Sequence, residues 1–228
     1  VQNALASYVG AVRDCGDLVK SYPPVRIKTT GDIPFLPDLL ARAGGIPFEL
    51  VEISIDSLPP LVELDKEIVD MSTCYDFSFS TELSADAERR GIAMARIGQD
   101  PVLICMNRDH PLASHSVLRR EDLRGVTVAI TSNKWYDFMV AQVLHLLGED
   151  LNLGFRMISV ASPLALRYID LGDAVACCGI NTEALTGRDD VVLFDELDGK
   201  PLVFDQVIAY RAEDPNPNVH ALVEMFSS

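Results

Sequence analysis

Residues 174–178 read AVACC, an unbroken run of small and β-branched apolar side chains with no polar position to offer to water. A strand with one wet face alternates apolar and polar residues. This run therefore predicts a central strand covered on both faces, as in a parallel sheet flanked by helices. Strand-like and helix-like stretches alternate along the rest of the chain. That pattern predicts an α/β fold whose ligands bind off the carboxyl ends of strands, where helix N-termini converge.

The alternation is read from apolar spacing and turn chemistry. Residues 1–22 place Leu5, Tyr8, Val9, Val12 and Val19 near the helical period, and Pro23-Pro24 ends that helix. Residues 25–29 alternate as a half-buried strand. Thr30-Gly31-Asp32 then supplies turn and cap chemistry for a helix carrying Phe35, Leu36, Leu39, Leu40 and Ala43, closed by Gly44-Gly45. Strands are predicted at 48–55, 68–73, 92–97 and 102–106, with a helix opening at Pro59-Pro60 and running through Lys66.

A second run starts with a β-branched strand at 126–131. Ser132-Asn133 leads from it into a helix in which Tyr136, Met139, Val140, Val143, Leu144 and Leu147 form the clearest apolar stripe of the chain, with Gly148 as its stop. A strand at 155–160 and a helix capped by Ser162-Pro163 and closed by Gly172 follow. Strands at 191–194 and 202–210 and a final helix, capped by Asn216-Pro217 and holding Val219, Leu222, Val223 and Phe226, complete the reading.

Composition narrows function by exclusion. The 228 residues suffice for one domain or two subdomains, each with its own core. With 34 acidic and 19 basic side chains the formal net charge is −15, which argues against this chain gripping nucleic acid by itself, since phosphate binding needs a basic face. Cys15, Cys74, Cys105, Cys177 and Cys178 are odd in number and include a neighbouring pair but no C-x-x-C, a usage expected of a reducing, cytoplasmic compartment. No apolar run approaches the roughly 18 residues of a spanning helix, so no membrane is expected as a partner. The opening at Val1 shows no secretory signal, and a fragment of a longer protein is expected.

Catalytic chemistry finds no set of residues to carry it. No G-x-G-x-x-G follows a predicted strand, and neither a phosphate-binding G-x-x-x-x-G-K-[ST] nor a G-x-S-x-G elbow occurs. Among the four histidines, His145 falls beside Leu144 and Leu146 as an ordinary helix position, and His110 and His115 are five apart, not the i, i+4 spacing of a helical zinc site. No metal and no cofactor are expected. Cys177-Cys178 reads as small apolar packing rather than a redox centre. Asp189-Asp190 and Glu121-Asp122 read as solvated charges rather than acid/base couples.

The order of segments resembles the effector-binding domain of LysR-type transcriptional regulators. The resemblance lies in His110-Pro111-Leu112-Ala113 after a strand, then Leu123-Arg124-Gly125 leading into the strand at 126–130. Val25-Arg26-Ile27 with Phe35-Leu36-Pro37-Asp38-Leu39-Leu40 is similar to the family's opening strand and helix, Ile68-Val69-Asp70 to the strand before the first half of the cleft, and Leu171-Gly172-Asp173-Ala174-Val175-Ala176 to its G-x-G-[IV]-A segment. Ala174 replaces the second glycine of that segment, and Gly179 stands where the family has proline, so the following loop is expected to run differently.

The resemblance implies a type 2 periplasmic-binding-protein fold, with two α/β subdomains joined by two crossing strands and a small molecule in the cleft between them. Residues 1–24 would be the remnant of a linker helix. Residues 25–104 with 207–228 would form one subdomain and 105–206 the other. A winged helix-turn-helix outside this chain would contact DNA, and the effector would alter that contact. The resemblance also implies a homo-oligomer, dimer or tetramer, with the helices near 35–43 and 136–147 meeting across subunits. The expected protein is not an enzyme. A solute-binding protein of a transporter is the alternative, and an α/β enzyme of prephenate-dehydratase-like type a third reading.

Physical reading of the residues points to the same cleft. Thr30, Ser132, Asn133 and Ser162 stand at helix N-termini, where free N–H groups and the macrodipole suit an anionic or polar ligand. Each also serves as a cap. Asp32 would repel a carboxylate and is expected to face its own helix. Trp135 is the candidate to stack on an aromatic effector, because Tyr136 fits the apolar stripe better. Thr29, Ser72 and Thr73, at the ends of their strands, are further candidate contacts.

Overall fold

The computed structural model describes residues 22–29, 36–51, 59–130, 136–158, 170–179 and 188–228. In chain order its strands are β1 (Val25–Thr29), β2 (Phe48–Leu50), β3 (Met71–Tyr75), β4 (Ile92–Asn107), β5 (Thr127–Ile130), β6 (Gly154–Met157), β7 (Ala174–Gly179), β8 (Val191–Phe194), β9 (Glu196–Leu197), β10 (Lys200–Pro201) and β11 (Val203–Arg211). The helices are α1 (Leu36–Ala41), α2 (Leu61–Asp65), α3 (Thr81–Arg89), α4 (Tyr136–Leu147) and α5 (Pro217–Phe226). Contacts divide the chain into two units, one of Val1–Tyr75, Ala85–Gly98 and Gln206–Ser228, the other of Asp76–Ser84 and Gln99–Asp205. β4 and β11 each run from one unit into the other.

In the first unit β1 lies between β2 and β3 and is parallel to both, while β11 borders β3 in the opposite direction. Val25 and Ile27 of β1, Met71 of β3 and Ile208 of β11 form one apolar layer, and α5 covers it with Val219, Leu222, Val223 and Phe226. Those α5 offsets are i, i+3, i+4 and i+7, the single face a surface helix buries. The helix begins where the sequence says it must: the Asn216 side chain accepts from the Asn218 N–H at 3.1 Å, and Pro217 fills the first turn. Asn216 Nδ2 also donates to the Pro23 carbonyl at 3.0 Å.

In the second unit β7 is parallel to β5, which is parallel to β6, and antiparallel to β4, which in turn pairs with β8. Ala174, Ala176 and Cys178 of β7 pack with Cys105, Ala129, Leu171 and Val191. The AVACC run is thus a covered interior strand as expected, but its two neighbours run in opposite directions, so the sheet is mixed rather than purely parallel.

Several boundaries differ from the sequence reading. The strand expected at 68–73 begins at Met71, because Asp70 and the residues before it turn to meet Arg26 and Arg211. The two strands expected at 92–97 and 102–106 are one, β4, in which exposed Pro101 interrupts the composition but not the extended backbone. α3, which turns Leu83 and Ala87 inward and buries only Ala87 fully, has no counterpart in the sequence reading; Ser80 caps it by accepting from the Leu83 N–H at 3.3 Å. β9 and β10 form a hairpin whose loop residues Asp198 and Gly199 have φ of 54° and 70°, the backbone that an Asp-Gly pair is suited to adopt. The helix expected over 1–22, apart from Tyr22, and the helix after Ser162-Pro163 lie outside the described residues, save its closing Gly172.

Candidate functional site

At the carboxyl ends of the first unit's parallel strands, Thr29 of β1 stands directly beside Thr73 of β3. Two residues earlier on the same face, Ile27 and Met71 are paired in the same way and lie fully in the core. The threonine pair therefore continues the apolar column with two hydroxyl-bearing side chains, Thr29 half-buried and Thr73 buried. Strand alternation sends the residues between them, Lys28 and Ser72, to the opposite face of the sheet. Ser72 is fully buried, and among the described residues its hydroxyl reaches the Thr73 carbonyl, at 3.5 Å. Of the three candidate residues in this unit, Thr29 and Thr73 share a face and Ser72 does not.

That opposite face holds ionic groups. Lys28 is 1% exposed and its ammonium lies 3.2 Å from the carboxylate of Glu63 on α2, itself buried. Arg26 donates to Asp70 three times, from its backbone N–H at 2.8 Å, from Nε at 3.0 Å and from Nη2 at 2.6 Å. Arg211 of β11 donates to the same carboxylate at 2.9 Å, to the carbonyls of Leu64 and Val69 at 3.0 and 2.8 Å, and pairs with Asp214. Burial works against ionisation of Asp70, but hydrogen bonds from Arg26 and Arg211 outweigh it and hold the carboxyl below the usual range. These contacts fix β3 and α2 against β1 and so set where the Thr29–Thr73 pair sits.

In the second unit the strand ends carry different chemistry. Gly179 closes β7 opposite Val102 of β4, and a Cβ added to Gly179 would lie 2.9 Å from the buried carboxylate oxygen Oδ2 of Asp100. A side chain there would displace that carboxylate. Burial pushes the Cys105 thiol up to about 11 and that of Cys177 up to about 12, and it raises Cys178 as well. Such thiols are poor nucleophiles at neutral pH. His110 Nδ1 accepts from the Leu112 N–H at 3.2 Å and so caps the short 3-10 turn Pro111–Ser114, whereas His115 Nδ1 lies 3.2 Å from Asp122 Oδ2. The two histidines have separate structural partners. Thr30, Ser132, Asn133, Trp135 and Ser162 lie outside the described residues.

No family model matches the sequence, and comparison with curated proteins by sequence finds no match either. Solved structures do match. The regulatory domain of MetR, a LysR-family regulator from N. meningitidis, aligns at a TM-score of 0.57 with 15% identity, over 90% of this chain and 92% of that one. The effector-binding domain of a BenM variant aligns at 0.60 with 14% identity, over 90% and 93%. CbnR, a LysR-family transcriptional regulator, aligns at 0.58 with 16% identity, over 98% of this chain and 76% of its own length. This chain has the fold of a LysR-type regulatory domain.

Within the LysR-type fold, two features of these strand ends escaped the sequence reading. One is the buried Lys28–Glu63 pair, whose signal was a lysine inside an otherwise well-covered strand. The other is Asp100 against Gly179, residues far apart in the chain that only the antiparallel β4–β7 pairing brings together. Among the described residues no helix is long and apolar enough to cross a membrane.

Proposed function

We propose that this chain is the effector-sensing and dimerisation domain of a LysR-type transcription factor, cytoplasmic and without enzymatic activity. The observation that carries the reading is the alignment with isolated LysR-type regulatory domains over nine-tenths of both partners' lengths. The charge of −15 fits it, because DNA would then be contacted by a winged helix-turn-helix outside this acidic chain. The proposed subdomains are residues 25–104 with 207–228 and residues 105–206, save that contacts assign Asp76–Ser84 and residues 99–104 to the second unit and residue 206 to the first. The proposed effector is a small anionic or aromatic molecule. In the first subdomain it would meet Thr29 and Thr73, with Ser72 behind them, and Thr30 beyond the strand; in the second, Ser132, Asn133, Trp135 and Ser162. The proposed oligomer, a dimer or tetramer, uses the helices near 35–43 and 136–147.

A thermal-shift screen of small carboxylates and aromatic acids tests this reading, since a ligand specific for the folded state raises stability with its concentration. A ligand found in that way should lose its shift in Thr29→Val, which removes one hydroxyl and leaves the strand in place. An unchanged shift would remove Thr29 from the site. Conversion of the compound into a product by the pure protein would overturn the non-enzymatic reading.

A further inference from the structure

The second unit holds a pocket that the strand-end site does not use. It is lined by Gln142 and His145 of α4, by Phe79 and Phe204, and by Asp76 and Asp205. It is a small, partly open cavity, with room for a few heavy atoms of a ligand rather than for a large one.

The polar groups of this pocket point to one kind of ligand. Gln142 is 3% exposed, yet its Oε1 has no hydrogen-bond partner among the described residues. A buried acceptor left in that state favours any bound group that donates to it, and the terminal amide torsion is soft enough to turn the oxygen toward the opening. Two carboxylates stand nearby, drawn together by the Asp76 N–H, which donates to the Asp205 carbonyl at 2.8 Å. Asp76 accepts from the N–H and hydroxyl of Ser78 at 2.8 and 2.9 Å, and Asp205 accepts from Gln99 Nε2 at 3.0 Å. Carboxylate oxygens so engaged still have lone pairs for another donor. Among the described residues no Lys or Arg lines the pocket. The Phe79 ring stacks on the His145 imidazole at 4.9 Å and 16° and lies 6.1 Å from Phe138, so it stands fixed as an aromatic wall, a surface that attracts cations.

We infer that this pocket binds a small organic cation, a protonated primary amine with a short apolar tail, whose ammonium donates to Gln142 Oε1 and to the Asp76 and Asp205 carboxylates. An anion would meet two negative charges and a buried carbonyl-type oxygen, and a plain alkane would leave that oxygen as it is. The site lies wholly within the second unit, and it asks for a cation where the strand ends suit an anionic or aromatic ligand. The two readings therefore stand or fall separately.

Isothermal titration of this chain with n-butylammonium chloride, with sodium butyrate and with n-butanol tests the inference. Saturable binding of butylammonium is expected, with none for butyrate and at least tenfold weaker binding for butanol, about the loss expected when one charge-assisted contact goes. Gln142→Leu and Asp205→Asn should each weaken butylammonium about tenfold or more. Gln142→Glu, which offers the cation a third carboxylate, should tighten it. Thermal unfolding of each variant shows whether it is folded, and the Glu variant, read as a gain of affinity, decides the matter if the Leu variant does not fold. Butylammonium that fails to bind, butyrate that binds as well as butylammonium, or affinity indifferent to Gln142→Glu would overturn the inference.

Discussion

Arg26 holds Asp70 with its backbone N–H and two guanidinium nitrogens at once, joining the second residue of β1 to the turn that precedes β3. Asp70 thus stays ionised in the folded protein to lower pH than its unfolded value of 3.8. A group whose folded pKa is depressed contributes stability above the unfolded value and loses it as pH falls through the folded one. Asp70→Asn should cost about 1.5–3 kcal/mol at pH 7, the range for hydrogen bonds to charged groups. The gap between variant and parent should then narrow progressively below pH 3.8. Urea unfolding at several pH values measures this, and a gap constant down to pH 2.5 would contradict the assignment.

Lys28 and Glu63 should behave as a buried ion pair rather than as a surface one. Lys28→Met alone takes the ammonium from beside a buried carboxylate and should destabilise the protein by about 3 kcal/mol. Replacing both, Lys28→Met with Glu63→Leu, should recover most of that loss, because two desolvated charges give way to apolar packing. A double-mutant cycle by chemical denaturation tests it. If the double variant is as unstable as the sum of the singles, the pair is not coupled.

Gly148 ends α4 with φ of 115°, and a Cβ there would fall 1.8 Å from Arg120 Nη2. Arg120 Nε donates to the Leu147 carbonyl at 2.8 Å and its guanidinium pairs with Asp150, so making room for the Cβ means giving up these contacts. Gly148→Ala should therefore cost about 1–2 kcal/mol from backbone strain alone, with a further loss where Arg120 must move. Adding Arg120→Ala should leave the strain but remove the overlap, so the two changes should cost less together than their sum. Strict additivity would refute the overlap.

Cys105 and Cys177, with thiols raised to about 11 and about 12, should react slowly with maleimide or aromatic disulfides in the native protein at pH 8, where thiolate is scarce. Cys178 should be equally slow. All three should label fully after unfolding. Rapid native labelling at Cys177, read by peptide mass mapping, would show an activated thiol and would reopen a redox role for β7.

The sequence disclosed the parts of this fold that apolar pattern or turn chemistry dictates. AVACC became β7, the stripe from Tyr136 to Leu147 became α4, and Asn216-Pro217 opened α5, because in each case burial or capping needs those residue types in that order. The Asp198-Gly199 turn carries an equally legible hairpin signal. α3 was harder to see because its inward face offers only Leu83 and Ala87, two apolar residues among polar and charged ones, where a longer stripe is the usual signal. Thr29 beside Thr73 could be guessed from strand ends, but Ser72 could not be placed on the other face until the register was known, since a shift of one residue exchanges the faces. Gln142 gave no signal in the sequence. A glutamine on an amphipathic helix reads as solvated until neighbouring elements close over it.

The division of the chain fixes an order of events during synthesis. Residues 25–75 are made before the rest of their unit, yet their apolar layer is roofed by Val219, Leu222 and Phe226, and β3 waits for β11 as its neighbour. The intervening stretch from Gln99 to Asp205 carries nearly all of its unit's residues and can settle while the ribosome is still adding the last helix. The half translated first is therefore the half completed last, and a premature stop before Pro217 would leave it an open sheet with a bare greasy side, prey for chaperones and proteases, while sparing the insert.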